Sequence, residues 1–209
     1  MASAIRQLDP EAIHHVVSRG NNGGSIVLDA VDRSLFRQRM DKVAREYEWE
    51  MFSWCLMTTH VHYVMRAPEG GISDGMQALH SRHAVGVNRR YGRTGHLFQN
   101  RFFSVEIETD AHLVSSLVYV NRNPLAAFAV EAAEDWRDSS YRALLGLASV
   151  PGWLAADFVL GLFGRAPSVA RRALAELVSS GRVPASEALD DVRRYETRGI
   201  VPELAATSG

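Results

Sequence analysis

Residues 55–66 read CLMTTHVHYVMR, an apolar run holding two histidines spaced two apart, His60 and His62. In an extended strand successive side chains turn to opposite faces, so this spacing puts both imidazoles on one face and Val61 on the other. The pair can therefore meet on one ion. It can equally be a pair of hydrogen-bonded core histidines, since an unsatisfied buried polar group costs about 1–3 kcal/mol. The strand by itself leaves both readings open.

Outward from this stretch, WEMFSWCLM at 49–57 and HVHYVMRA at 60–67 are two strand-like runs separated by Thr58 and Thr59, which predicts a central antiparallel hairpin. IHHVVSR at 13–19 is β-branched and apolar enough for a first strand, GNNGG after it is a turn, and SIVLD at 25–29 is a short extended piece. From Asp29 the period changes. Val31, Leu35, Met40 and Val43 recur at helical spacing, with Asp29 or Asp32 placed to cap the start. A second helix follows within residues 70–92, capped by Ser73 or Asp74, with Met76, Leu79, His83 and Val87 on one face. A last strand runs from Phe102 to Glu108.

The order strand, helix, strand, strand, helix, strand predicts an α+β fold, a ferredoxin-like antiparallel sheet of split βαβ order with helices on one face. Asp110 then caps a further helix whose Leu113, Leu117 and Val120 lie on one side. On that helix Tyr119 and Asn123 stand one turn apart on a common face, and Pro124 ends it at Asn123. Helical pattern resumes in LAAFAVEAAEDW at 125–136. Pro151 and Gly152 mark a boundary between a domain at 1–150 and a helical extension at 151–209, where two or three short helices are broken at Pro167, Gly181 and Pro184 and the terminal ELAATSG frays.

With 209 residues, 46% of them hydrophobic, the chain can bury a substantial core. No apolar run approaches the ~18 residues of a membrane span, and the N-terminal stretch lacks the apolar centre of a signal peptide, so a cytoplasmic protein is expected. Cys55, the single cysteine, has no partner for an internal disulfide and reads as a small buried hydrophobe. Net charge is −1, which argues against a uniformly basic nucleic-acid binder. The distribution argues otherwise for one segment: residues 76–104 carry five arginines and no acidic residue, together with His80, His83 and His96. Such a track suits a polyanion locally, and a solvated helix face followed by a loop accounts for it equally well.

A histidine pair on a strand, a tyrosine with an amide residue one turn later, and a basic segment in this order of elements resemble one family. In HHVVSRGNN at 14–22, WCLMTTHVHYVM at 54–65, YGRTGHLFQNRF at 91–102, YVNRNPLAA at 119–127 and EDWRDSSY at 134–141, the chain is similar to the REP-associated tyrosine transposases. These belong to the single-tyrosine class of the His-hydrophobic-His nucleases. The resemblance covers most of residues 13–145, and it departs at Thr58-Thr59, where proline and asparagine are frequent in the family.

That resemblance implies cleavage and rejoining of single-stranded, hairpin-bearing DNA through a 5′-phosphotyrosine. It makes Tyr119 the nucleophile and makes His60, His62 and Asn123 ligands of one divalent cation. Two imidazoles with an amide oxygen suit Mg²⁺ or Mn²⁺. A phenol ionising near pH 10 is a poor nucleophile, so a nearby cation or base is required. Arg19, Asn21, Arg89, Arg90, Arg93, His96 and Arg101 are the candidate DNA contacts. Tyr91, Phe98 and Phe102 are candidates for base stacking, with core packing the alternative for Phe98 and Phe102 and preferred for Phe103. His14, His15, His80, His83 and His112 are assigned structural or hydrogen-bonding roles. Trp136, Ser139, Ser140 and Tyr141 are expected to pack the closing segment.

The C-terminal helices could dock on the core, form a homodimer, or add a DNA contact through Arg171, Arg172, Arg193 and Arg194. Competing functions are a DNA- or RNA-binding module that no longer cleaves and a relaxase-like or replication-initiator nickase. A zinc hydrolase is the weakest competitor, because YVMRAPE after His62 offers no early carboxylate.

Overall fold

The computed structural model describes residues 8–183 and 187–197. Four strands, β1 (Ile13–Arg19), β2 (Glu50–Leu56), β3 (His60–Arg66) and β4 (Phe103–Ile107), form one antiparallel sheet in the order β2-β3-β1-β4. Helices α1 (Ala30–Glu46) and α2 (Gly71–Tyr91) make the two crossovers, and the arrangement is the α+β, split βαβ one. Alternation sends Val61, Tyr63 and Met65 to one face, where Tyr63 meets the Trp49 ring at 6.0 Å and the Trp49 indole donates to Gly71 O at 2.9 Å. His60, His62 and Val64 take the other face. Helix α3 (Asp110–Ala126) covers it, so the sheet lies between α1 and α2 on one side and α3 on the other.

Several expected boundaries shift for identifiable reasons. Helix α1 is capped by Asp29, whose carboxylate accepts from Asp32 N, but its buried stripe is Asp32, Phe36, Met40 and Val43, and Val31 faces solvent. Asp32 can be buried there because Arg90 and Tyr91 bond its carboxylate. Helix α2 begins at Gly71, before Ser73, and its N-cap is Gly70 at φ +75, a left-handed conformation that suits glycine. Its expected face of Met76, Leu79, His83 and Val87 is buried. At α3 the cap is Thr109, which accepts from His112 N, and not Asp110. The helix also runs through Pro124 to Ala126, with Ala127 N donating to Asn123 O at 3.0 Å. The continuation expected at 125–136 is not a helix: the chain turns at Phe128, φ +53, and only Ala133–Asp135 forms a 3-10 turn.

Past this point α4 (Tyr141–Leu144), α5 (Ala156–Gly161), α6 (Pro167–Ser180) and α7 (Glu187–Thr197) follow. The edge of β2 is covered, with Leu56 N donating to Asp138 O, Ser140 N to Trp54 O, Met51 N to Trp153 O and Ala155 N to Met51 O. The closing segment packs as expected, Trp136 Nε1 donating to Leu56 O and Ser140 Oγ accepting from Trp54 N. The core is continuous across Pro151, joining Leu144, Leu154, Val159, Leu174 and Val178 to the sheet. Of the open roles for the C-terminal helices, docking on the core is the one seen: α6 packs on α3, and α7 on β4 and α3. The break expected at Pro184 and the terminal ELAATSG lie outside the described residues.

A Cβ at Gly75 would stand 2.7 Å from the Trp49 ring, so this glycine makes room for the indole. Trp49→Ala is expected to lower stability by about 3–5 kcal/mol and Gly75→Ala by about 1–3 kcal/mol. In urea unfolding the Gly75→Ala penalty should shrink in the Trp49→Ala background; equal penalties in both backgrounds would refute the packing account.

Candidate active site

The site is built on the β3 hairpin. Register pairs Arg19 with His60 and Val17 with His62, so His15, Val17 and Arg19 of β1 share the face of the two histidines. Thr58 and Thr59 make the turn and are wired to the first crossover: Gly20 N donates to Thr59 O at 2.7 Å, Ile26 N to Thr58 O at 2.8 Å, and Arg33 Nη2 to Thr58 Oγ1 at 2.9 Å. Thr59 Oγ1 also lies 3.1 Å from His60 Nδ1. Backbone carbonyls and hydroxyls thus hold this turn in position.

The ring centroids of His60 and His62 are 5.0 Å apart. Asn123 reaches between them, its Oδ1 3.3 Å from His60 Nε2 and its Nδ2 3.2 Å from His62 Nε2. Its neighbour Asn121 anchors the same stretch of α3, accepting from Ser53 Oγ on β2 and donating to Leu117 O. Tyr119 lies one turn before Asn123 with its ring edge-on to His62 at 5.7 Å. The four residues marked by sequence are therefore brought together within one chain.

A fifth and a sixth join them. Glu196 of α7 places Oε1 2.9 Å from His62 Nε2, and its Oε2 accepts from the Tyr119 hydroxyl at 2.7 Å. Among the described residues, His60, His62 and Glu196 are the group of histidine, cysteine and acidic side chains whose ligand atoms converge, all within 4.8 Å of one another. His15 Nε2 stands 3.1 Å from His62 Nδ1. Sequence reasoning missed Glu196 because it lies 134 positions after His62, on a helix with no motif, and only the docking of α7 delivers it. His15 carried a signal, period-two alternation with Val17 and Arg19, that assigns it to the site face.

The donor set fits a divalent cation. Two lone-pair-bearing atoms 2.9 Å apart, His62 Nε2 and Glu196 Oε1, need a positive charge between them, a proton or a metal ion, and two imidazoles with a carboxylate form a common metal set. Burial, then the neighbouring His62, pushes the His60 imidazole down to about 4; burial, then His62, also holds the His15 imidazole well below its ordinary value. Both rings are thus held neutral, the form that ligates or accepts. Burial alone would raise Glu196, but His62 first, together with His60 and the Tyr119 hydroxyl, outweighs it and holds the carboxyl at about 2. The Tyr119 phenol is pushed well above its ordinary value by burial first and by the Glu196 carboxylate second; Arg193, 5.5 Å over the ring, opposes them.

The expected DNA contacts divide. Arg19 is buried, with Nη1 donating to Tyr195 O at 3.0 Å, so it secures α7. Arg90 pairs with Asp29 and Asp32, and the Tyr91 hydroxyl donates to the same carboxylates, so neither forms part of an open track. The local absence of acids in residues 76–104 concealed partners on α1. Asn21, Arg89, Arg93, His96 and Arg101 are exposed. His96 and Arg101 line a cleft of about 1040 Å³ between α2 and residues 95–102, with Gln77, Ser81 and Asn100. Phe98 and Phe102 are buried, Phe98 stacked on His80 at 3.9 Å. Phe103 is only half-buried and stacks on Tyr195 of α7 at 4.8 Å, in place of the core position expected. His83 and His14 are structural: His83 sits between Arg39 and Ile26 O, and His14 bonds Asp9 O on the other face. Cys55 is buried with its thiol pushed up, as a small hydrophobe would be.

Fold and site define an α+β protein with a two-histidine, one-tyrosine centre on an antiparallel sheet. The sequence profile described as "Transposase IS200 like" matches residues 11–123; the chain belongs to that family and is a transposase. Among solved structures, the REP-associated tyrosine transposase bound to a REP hairpin superposes with a TM-score of 0.57 at 18% identity, over 72% of this chain and 90% of that one. A candidate transposase from Deinococcus radiodurans R1 superposes with a TM-score of 0.39 at 14% identity, over 54% of this chain and 88% of that one. A search of curated protein sequences finds no match. Among the described residues no helix is long and apolar enough to cross a membrane.

Glu196→Gln removes the charge that helps keep Tyr119 neutral, so the phenol should ionise at lower pH. Phenolate absorbance during an alkaline titration, taken as the difference from the same protein with Tyr119→Phe, measures this; an unmoved or upward midpoint would contradict the assigned electrostatics.

Proposed function

We propose that this transposase cleaves and rejoins single-stranded DNA beside a hairpin, using Tyr119 as nucleophile and one Mg²⁺ or Mn²⁺ ion, as a REP-associated tyrosine transposase working in the cytoplasm. The observation carrying this reading is the convergence of Tyr119, Asn123, His60, His62 and Glu196 in one chain, with Glu196 linking the phenol to the imidazole. The solved relative bound to a REP hairpin supports the choice of DNA.

In the reaction, Tyr119 Oη passes its proton to the Glu196 carboxylate that accepts its hydrogen bond and attacks the scissile phosphorus, and the departing 3′ oxygen takes up a proton. The bond from phosphorus to the 3′ oxygen breaks, leaving a 5′-phosphotyrosine and a free 3′-hydroxyl. Attack by a second 3′-hydroxyl reverses the step and restores a phosphodiester, so rejoining needs no external energy. His60, His62 and Glu196, with the Asn123 amide beside them, would hold the cation. When bound, the ion would polarise the phosphodiester and offset the Glu196 charge that disfavours the phenolate. Glu196 orients Tyr119, its 2.7 Å hydrogen bond turning the hydroxyl toward the imidazoles. Asn21, Arg89, Arg93, His96 and Arg101 would contact the strand, the last two from the cleft between α2 and residues 95–102.

Purified protein with Mn²⁺ or Mg²⁺ is expected to form a denaturation-resistant adduct on oligonucleotides carrying a hairpin and a single-stranded flank. Tyr119→Phe should abolish the adduct, and His60→Ala or His62→Ala should cut its rate at least about 100-fold, the scale on which lost transition-state stabilisation reads out. An adduct that persists in Tyr119→Phe removes the tyrosine from the role. Hairpin binding with no cleavage under either metal would favour a binding module.

A further inference from the structure

We propose that His15 is a positioning residue: by accepting the Nδ1–H of His62 it fixes the tautomer in which His62 Nε2 is bare and directed at the metal. The inference rests on the metal reading above and adds a residue to it.

A histidine that ligates through Nε2 carries its proton on Nδ1, and that N–H needs an acceptor that also holds the ring plane. His62 has no exposed surface, so water cannot serve, and an unsatisfied buried N–H costs about 1–3 kcal/mol. The group in place is His15 Nε2, at 3.1 Å. His15 is itself fully buried, and its ring lies 5.3 Å from that of His62 and 6.0 Å edge-on from Tyr119, so it braces ligand and nucleophile together.

Placement follows from pairing geometry. Val17 is opposite His62 across the β1–β3 ladder, and two residues back on the same face is His15, the diagonal neighbour. When Nε2 of His15 accepts, its remaining proton is on Nδ1, and Nδ1 is buried with no hydrogen-bond partner among the described residues. An orphaned donor in a core lowers stability, so its presence here is explained by what the other nitrogen does. The same nitrogen in His60 faces the Thr59 hydroxyl, which can donate or accept and so imposes no tautomer.

The chemistry of the acceptor also suits the substrate. A carboxylate, the commoner partner of a ligating histidine, would add a buried negative charge beside an incoming phosphodiester. A neutral imidazole accepts the same hydrogen bond without that repulsion.

The test compares Mn²⁺ affinity by titration calorimetry in the wild type, His15→Phe and His15→Gln. Phe keeps the ring volume and the contact with Tyr119 but cannot accept; Gln keeps an acceptor oxygen on a side chain of similar reach. His15→Phe should bind Mn²⁺ about 10–100-fold more weakly, the scale of lost partners to metal ligands, and His15→Gln should recover most of the loss. In the Mg²⁺-loaded wild type, nitrogen NMR should show the proton on His62 Nδ1 with coupling across the hydrogen bond to His15 Nε2. Wild-type affinity in a folded His15→Phe, or no such coupling, overturns the inference while leaving the metal site standing. Failure of the wild type to bind either ion overturns the metal reading, and this inference with it.

Discussion

An unengaged nitrogen on a buried imidazole costs about 1–3 kcal/mol, and His62, the centre of this protein's organisation, has both of its nitrogens engaged. The ring has no exposed surface, and its neighbours come from three other elements: His15 from β1, Asn123 from α3 and Glu196 from α7. Each element must dock in one orientation for these contacts to form together. Satisfying His62 is therefore coupled to closing the fold around it, and a loosened α3 or α7 would leave costly polar groups in an apolar interior.

Helix α7 ties the C-terminal segment to the histidine pair and Tyr119. It is held from both sides of the site, by the Arg19 guanidinium on Tyr195 O, by the stack of Phe103 on Tyr195, and by Glu196 against Tyr119 and His62. Arg19 is the instructive residue. An arginine before a glycine-asparagine turn suits a phosphate contact, yet it is buried and spends a donor on a carbonyl of α7. Charge on the sequence does not report exposure, and Arg90, paired with Asp29 at the N-cap of α1 and Asp32 in its first turn, makes the same point.

Much of the fold was legible. The four strands, the first two helices and the α3 helix each carry a hydrophobic period that sheet or helix geometry dictates, and their order restricts the sheet to few pairings. The misreadings were local. Val31 was expected on the buried stripe of α1, but Asp32 is buried there because Arg90 and Tyr91, about 60 positions away, satisfy it. The alanine-rich stretch after Pro124 reads as helix by propensity and is turned aside at Phe128, and Trp136 beyond the turn reaches Leu56 O at the edge of β2.

By itself the sequence determined that His60 and His62 share a face, that Tyr119 and Asn123 share another, and that strands and helices alternate in the split βαβ order. These are consequences of two fixed repeats, two residues in a strand and 3.6 in a helix, and need no knowledge of distant contacts. Only the tertiary structure decided that the two faces meet, that Glu196 joins the histidine pair, and that His15 and not solvent faces the far nitrogen of His62. Those outcomes depend on how α3 and α7 pack over the sheet, and packing is settled by the summed fit of many side chains far apart in the chain, which no local period encodes.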